Sequence, residues 1–476
     1  MNDRPIRHDG EYVLYWMTAF RRPTWNFSLE RAVEWAQELG KPLVIFEALR
    51  VGYPWASDRL HTFILQGMAD HAAWFQGRPV TYVPYIEKEA RQGSGLLEAL
   101  AGRASVVVTD DFPCFFLPRM IQAASAKIDV LMEKVDSNGL LPFRAADRVF
   151  LRAFDFRRFL QRELSPHLLQ RPEPDPLFAK KLPKPIPLDP TIAKRWPMAD
   201  QRSFEDIGSL VTTLPIDHSV GVGAISGGFA QGVATMKAFI DKRLDRYADD
   251  RSEPSMEGSS GLSAYLHFGQ MSVHQILAEI AEKESWSPQL IGSRRSGQRD
   301  GWWQMSPAAE SFLDELITWR EVGFNMCWQR DDYDQFSSLP EWAKDTLQKH
   351  AKDKRPSVYT LTQLDDADTH DALWNAAQNQ IRREGRMHNY LRMLWGKKIL
   401  EWSRRPEEAL DAMIELNNKY GLDGRNPNSY SGIFWVLGRY DRAWGPERPI
   451  FGTIRYMSSD NTARKFDVKP YLKRYA

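Results

Sequence analysis

The sequence predicts two architectures in one chain: a doubly wound parallel α/β domain at the N-terminus and an all-α domain at the C-terminus. Three observations predict it. Apolar, β-rich runs alternate with segments of helical length over residues 11–135, eight prolines crowd into residues 171–197, and from residue 229 onward the apolar period becomes helical. A chain of 476 residues, 43% of them hydrophobic, has enough apolar material for two or three separate cores.

The runs EYVLYWM (11–17), PLVIFEA (42–48), PVTYVPY (79–85), SVVVTD (105–110) and KIDVLMEKV (127–135) read as five strands. Between the first two, FSLERAVEWAQELG puts Leu29, Ala32, Val33 and Ala36 on one helix face and stops at Gly40, a residue suited to a C-cap. Strands joined by such crossovers pair in parallel, and their ligands sit beyond the carboxyl ends. No G-x-G-x-x-G follows the first strand, which runs into MTAFRRPTWN, so a plain dinucleotide dehydrogenase is disfavoured. The prolines of 171–197 favour extended, surface-running chain. GVGAISGG (221–228) has the look of a phosphate loop but lacks a preceding strand and a Lys-Ser/Thr ending, and reads as a flexible connection. The expected organisation is an α/β domain over 1–165, a Pro-rich linker over 166–220 and a helical domain over 221–476.

Charge and cysteine usage narrow the classes. At a net charge of +1, nucleic-acid binding must come from a local basic face. Two cysteines, Cys114 and Cys327, give neither a disulfide framework nor zinc-ligand spacing, so a cytoplasmic location is the default. No signal peptide and no apolar run long enough for a membrane span are read from the sequence.

The helical half holds eleven of the seventeen tryptophans. Trp395 and Trp402 are seven residues apart, two turns and about 10 Å along one face, and Trp374 lies on the preceding helical segment. This suits either stepwise electron transfer or a buried aromatic seam. The surrounding run 381–405 carries eight basic residues against two acids, which reads as a solvated face or as a contact for phosphates. In ELITWRE, Glu315 and Trp319 share a helix face, as a surface Glu over a buried Trp or as a stacking and hydrogen-bonding pair for a flat, carbonyl-bearing ring. LDGRNPN (422–428) is too rich in Gly, Pro, Asn and Asp for a helix interior and should be a structured turn. Residues 438–475 mix nine basic and four acidic residues with aromatics, a pattern for phosphate neutralisation with base stacking or for an ordinary surface.

Taken together, SSGLSAYLHFGQMS (259–272), ELITWREVGFN (315–325), THDALWNAAQ (369–378), MHNYLRMLWGKKILEW (387–402), LDGRNPN (422–428) and RPIFGTIRYM (448–457) resemble the signature blocks of the photolyase/cryptochrome family. The likeness is nearest to its class II branch, the cyclobutane pyrimidine dimer photolyases. It implies an N-terminal α/β antenna domain and a C-terminal helical FAD domain. By this resemblance Tyr247, Ser259, Ser260, Leu262 and Ser263 would lie at the FAD phosphates, and Asn417 would face flavin N5. Asp423, Gly424 and Asn426 would surround the isoalloxazine and ribose, with an Arg392–Asp423 salt bridge beside the ring. Light-excited, reduced FAD would donate an electron to a pyrimidine dimer in DNA, and the electron would return after the cyclobutane ring splits. A protonated Glu315 would hydrogen-bond the dimer's carbonyl edge, and Trp319 and Trp435 would flank the flipped-out dimer with Met393 nearby. Trp395, Trp374 and Trp402 would relay electrons to the flavin in that order outward, and Arg442 and Arg455 would contact DNA. No obligatory protein partner and no metal are implied, and the antenna domain leaves room for a second, deazaflavin-type chromophore. The turn here reads DGRNP where many class II relatives have DGRDP. A cryptochrome-like photoreceptor on the same scaffold is the alternative. Loss of the substrate residues would favour it, whereas Glu315, Trp319 and Trp435 are present.

Overall fold

The computed structural model describes all 476 residues, which form two compact units. The first comprises 1–142, 167–237 and 262–279, and the second 143–166, 238–261 and 280–476. These units interleave along the chain, unlike the consecutive blocks 1–165, 166–220 and 221–476 read from composition. No helix is long and apolar enough to cross a membrane.

The first unit is built on a five-stranded parallel sheet: β1 (Tyr12–Met17), β2 (Leu43–Leu49), β3 (Val80–Ile86), β4 (Ala104–Asp110) and β5 (Met132–Val135), in the order β3-β2-β1-β4-β5. A parallel sheet is covered on both faces, which is why β1 is buried at all six positions and reads as one apolar run. Val13, Tyr15 and Met17 pack with Leu29, Ala32, Val33 and Ala36 of the Phe27–Leu39 helix, while Tyr12, Leu14 and Trp16 belong to the core on the other face. Gly40 closes that helix in the left-handed conformation. The fifth strand is shorter than expected, because residues 127–131 do not extend it.

Two segments of this unit differ from the sequence expectation. The Pro-rich stretch is packed as well as extended. After Asp189 caps a short helix over Pro190–Arg195, Ile192 and Trp196 enter the core with Leu14 and Trp16, and the Trp196 indole donates to the Gln92 carbonyl. GVGAISGG is not free to swing at its end. The amides of Gly227 and Gly228 donate to the side chains of Gln66 and Gln270 at 2.6 and 2.8 Å, and a Cβ on Gly227 would meet the Phe63 carbonyl at 2.0 Å. Glycine is needed there for close backbone approach.

The turn after β1 also explains the missing dinucleotide fingerprint. The amides of Thr18, Ala19 and Phe20 donate to Asp110 Oδ2 at 2.8, 2.7 and 2.9 Å, and the Tyr15 hydroxyl donates to Asp110 Oδ1 at 2.8 Å. A carboxylate of the protein occupies the anion nest that a dinucleotide phosphate takes in Rossmann folds.

The second unit is helical. The helices that carry the candidate site are Pro307–Leu313, Arg320–Gln329, Ala372–Glu384, Asn389–Trp402, Pro406–Tyr420 and Pro427–Val436. Two glycines let them approach closely: a Cβ on Gly323 would meet Pro427 O at 2.7 Å, and one on Gly396 would meet Val436 Cγ2 at 2.6 Å.

Candidate functional site

The Pro307–Leu313 helix widens into a π-helical turn over Asp314–Trp319 before resuming as the Arg320–Gln329 helix. Four of its six residues, Asp314, Leu316, Ile317 and Thr318, are buried, and the other two, Glu315 and Trp319, are half-buried. Widened turns of this kind recur at functional sites because they re-aim side chains without ending the helix. Asp314 anchors the turn through a bidentate pair with Arg157 at 2.7 and 2.9 Å and a longer one with Arg299 at 3.5 Å.

Glu315 Oε1 accepts from Arg251 Nη2 at 2.5 Å. Burial pushes the Glu315 carboxyl up from its ordinary value, and this outweighs the neighbouring Arg251, which pulls it down. Arg251, the partner of this carboxyl, is not singled out by the sequence. It lies 64 residues from Glu315, and no local periodicity links the two.

The three tryptophans are almost fully buried, at 0% exposure for Trp374, 2% for Trp395 and 1% for Trp402. Trp374 touches both of the others. Its indole N–H donates to the Trp395 carbonyl at 3.0 Å, and its ring meets Trp402 edge-on at 5.4 Å between centroids. The Trp395 N–H donates to Gln378 Oε1 at 2.9 Å, a partner not singled out from sequence. Trp402 does not itself reach solvent, being covered by the half-buried Tyr359 at 5.1 Å and the exposed His370 at 5.5 Å.

The expected turn lies between the Pro406–Tyr420 and Pro427–Val436 helices. A Cβ on Gly424 would meet the Asn417 carbonyl at 2.8 Å, so only glycine fits. Buried Arg425, also missed from sequence, ties the turn together by donating to the carbonyls of Asn418, Gly421 (3.1 Å) and Leu422 (3.3 Å). Asn426 caps the following helix by accepting from the Asn428 amide at 2.9 Å. Arg392 and Asp423 form the ion pair the resemblance implies, at 3.0 and 3.3 Å. Asn417 is 1% exposed and donates to Ser429 Oγ at 2.7 Å. In the same unit Tyr247 packs edge-on against Phe239 and Phe312, and Arg243 donates to the carbonyls of Ser259 (2.9 Å) and Ser260 (3.4 Å). Leu262 and Ser263 belong to the first unit, where they open the Ser263–His267 helix.

Trp435 and Met393 are both half-buried on otherwise well-packed helices. Arg455 lies 5.4 Å from the Trp435 ring and 3.9 Å from that of Trp444, and it pairs with Asp441 at 2.8 and 3.2 Å. Arg442 is exposed and stacks on Trp444 at 4.5 Å. The basic run 381–405 is largely neutralised within the unit. Arg382 pairs with Asp366, Arg386 with Glu384 and Glu257, Lys398 with Glu401, and Arg405 with Glu408.

The chain, with one parallel α/β unit and one helical unit that holds a buried indole series, has the fold of solved photolyases and cryptochromes. A class III photolyase from Agrobacterium tumefaciens matches with a TM-score of 0.66 at 18% identity, covering 98% of this chain and 86% of that one. A Synechocystis cryptochrome matches with a TM-score of 0.66 at 14% identity, covering 100% and 89%. The sequence is similar to the deoxyribodipyrimidine photo-lyase of Methanothermobacter thermautotrophicus, 32% identical over 467 residues, with 98% of this chain and 94% of the relative covered. The enzymes of the same name from Potorous tridactylus (31% identity, 99% and 82% covered) and Oryza sativa (32%, 97% and 87%) are comparably similar. No protein-family model matches the chain. The chain belongs to the deoxyribodipyrimidine photo-lyase family.

Proposed function

We propose that this chain is a class II-type photo-lyase that uses light and FAD to split cyclobutane pyrimidine dimers in DNA. The observation that carries the reading is that relatives named for this activity align along nearly the whole chain, so both units are accounted for. The same names favour repair over the photoreceptor alternative, since the fold matches a photolyase and a cryptochrome equally well.

The residues present fit FAD. Arg392 Nε and His388 Nδ1 are buried without a hydrogen-bond partner, and they lie on one helix turn beside the Arg392–Asp423 pair. Buried polar groups of this kind are normally satisfied, and a heteroatom-rich ligand supplies what they lack. When bound, FAD supplies light absorption and a transferable electron. Arg392, Asn417, Asp423, Gly424 and Asn426 would hold the flavin and ribose, and Tyr247, Ser259 and Ser260 the phosphates. Trp395, Trp374 and Trp402 would relay electrons to the flavin, with Trp402 outermost. On the substrate side, Trp319, Met393 and Trp435 would hold the extrahelical dimer. Glu315, keeping its proton to higher pH than an ordinary carboxyl, would donate a hydrogen bond to a dimer carbonyl and stabilise the added negative charge.

DNA affinity tests the substrate. Binding of a dimer-containing duplex, measured in the dark, is expected to fall steeply with salt despite the net charge of +1, because local cations displace counterions. Arg442→Ala should lower the slope of log affinity against log salt by about 1, equally on damaged and undamaged DNA, as befits a phosphate contact. A salt-independent affinity would contradict the reading.

A further inference from the structure

Lys397 is fully buried on the Asn389–Trp402 helix, and no carboxylate pairs with it. Its Nζ donates to the carbonyl of Val436 at 2.5 Å and lies 5.1 Å from the Trp435 ring centroid. Val436 ends the Pro427–Val436 helix, so the ammonium sits at the negative end of that helix dipole. Gly396, next in the chain, permits the approach by leaving room for the Val436 side chain.

A buried charge without a counter-ion is costly, and a methionine or leucine would fill the same volume at lower cost. Packing alone therefore does not account for a lysine here. What the amine touches is the residue that ends the helix and the indole just before it. That indole has a second cation, Arg455, at 5.4 Å, itself held by Asp441. Trp435, itself half-buried, is thus flanked by one fixed buried cation and one half-buried cation.

We propose that Lys397 is a positioning residue for substrate recognition: pinned to the Val436 carbonyl, its ammonium fixes the pose in which the Trp435 indole meets the extrahelical base. This rests on the reading that Trp435 contacts the substrate. The interaction is cation–π in kind and strengthens where water is excluded. It also makes recognition sensitive to pH. Burial brings the Lys397 ammonium down to about 7, with Asp441 favouring the proton and Arg455 opposing it. The Ala372–Glu384, Pro406–Tyr420 and Pro427–Val436 helices packed against its own bring no other charge to bear on it.

The test is dark binding of the FAD-loaded protein to a dimer-containing and an undamaged oligonucleotide, across pH, for the parent, Lys397→Met, Lys397→Arg, Trp435→Leu and the Lys397→Met/Trp435→Leu double variant. Lys397→Met should reduce the preference for damaged DNA by about three- to thirtyfold. Its affinity for undamaged DNA and its FAD content should not change, and Lys397→Arg should retain part of the preference. The parent's preference should decline as pH rises through about 7, whereas that of Lys397→Met should be flat. In the Trp435→Leu background Lys397→Met should have no further effect. An unchanged preference in Lys397→Met, or an equal loss with and without Trp435, overturns the proposal. If Trp435→Leu itself leaves the preference intact, the substrate reading of Trp435 fails instead. Should Lys397→Met not fold, the pH profiles of the parent and Lys397→Arg decide, and coincident profiles count against the proposal.

Discussion

Glu315→Ala is expected to lose repair by roughly ten- to hundredfold per absorbed photon, and Glu315→Gln to lose much less. A hydrogen bond to a charged species contributes about 1.5–3 kcal/mol, which sets that range. Gln keeps a donor at the position and Ala keeps none, so the pair separates hydrogen bonding from acidity. The Arg251 contact adds a control, because removing Glu315 leaves a half-buried guanidinium without its partner. Thermal unfolding and FAD content measured beside repair distinguish loss of the substrate contact from a loosened fold. The pH dependence has a defined sign. The Glu315 carboxyl is raised, so its proton is present below the raised pKa and lost above it. Parent repair should therefore fall as pH climbs through that value, and Glu315→Gln should not follow. Full repair in Glu315→Ala, or loss of FAD in both variants, would assign Glu315 to a structural or flavin-holding role.

Trp374→Phe and Trp395→Phe are expected to slow photoreduction of bound oxidised FAD by about tenfold or more, equivalent to about 1.4 kcal/mol on the limiting step. Trp374 makes the stronger case, since it alone touches both other members, through its N–H to the Trp395 carbonyl and edge-on to Trp402. Trp402→Phe should slow the reaction as well, though less, because half-buried Tyr359 packs directly on it. Repair by protein whose FAD has been reduced chemically should be nearly unchanged in all three, since the relay would then be bypassed. If all three variants photoreduce as fast as the parent, the indole series is a packing seam.

Much of the fold was legible because its driving pattern is local. A parallel strand buried on both faces writes itself as a continuous apolar run, as at Tyr12–Met17, and a glycine in the left-handed conformation marks the helix end at Gly40. The features that escaped depend on distant partners. Asp110 gives no sign in sequence that it gathers three amides 90 to 92 residues away. The proline density of 171–197 signals extended chain correctly, yet hides Ile192 and Trp196, which reach into the sheet core.

At the candidate site the same division holds. The turn at 421–426 and the Arg392–Asp423 pair were accessible through residue type and resemblance. The π-helical turn was not, because a spacing of four residues between Glu315 and Trp319 looks alike on either kind of helix. Lys397 sat within a basic run that sequence alone reads as a solvated or phosphate-binding face. The structure separates it from its neighbours by burying it and pairing most of them with carboxylates.

The most direct measurement of the central claim is the loss of a defined cyclobutane pyrimidine dimer from an oligonucleotide incubated with FAD-loaded, reduced protein, in blue light and in the dark. The account predicts that the dimer disappears in light, that the intact pyrimidines are recovered, and that nothing changes in the dark. A protein that holds reduced FAD and binds the damaged oligonucleotide yet leaves the dimer intact under illumination would contradict it.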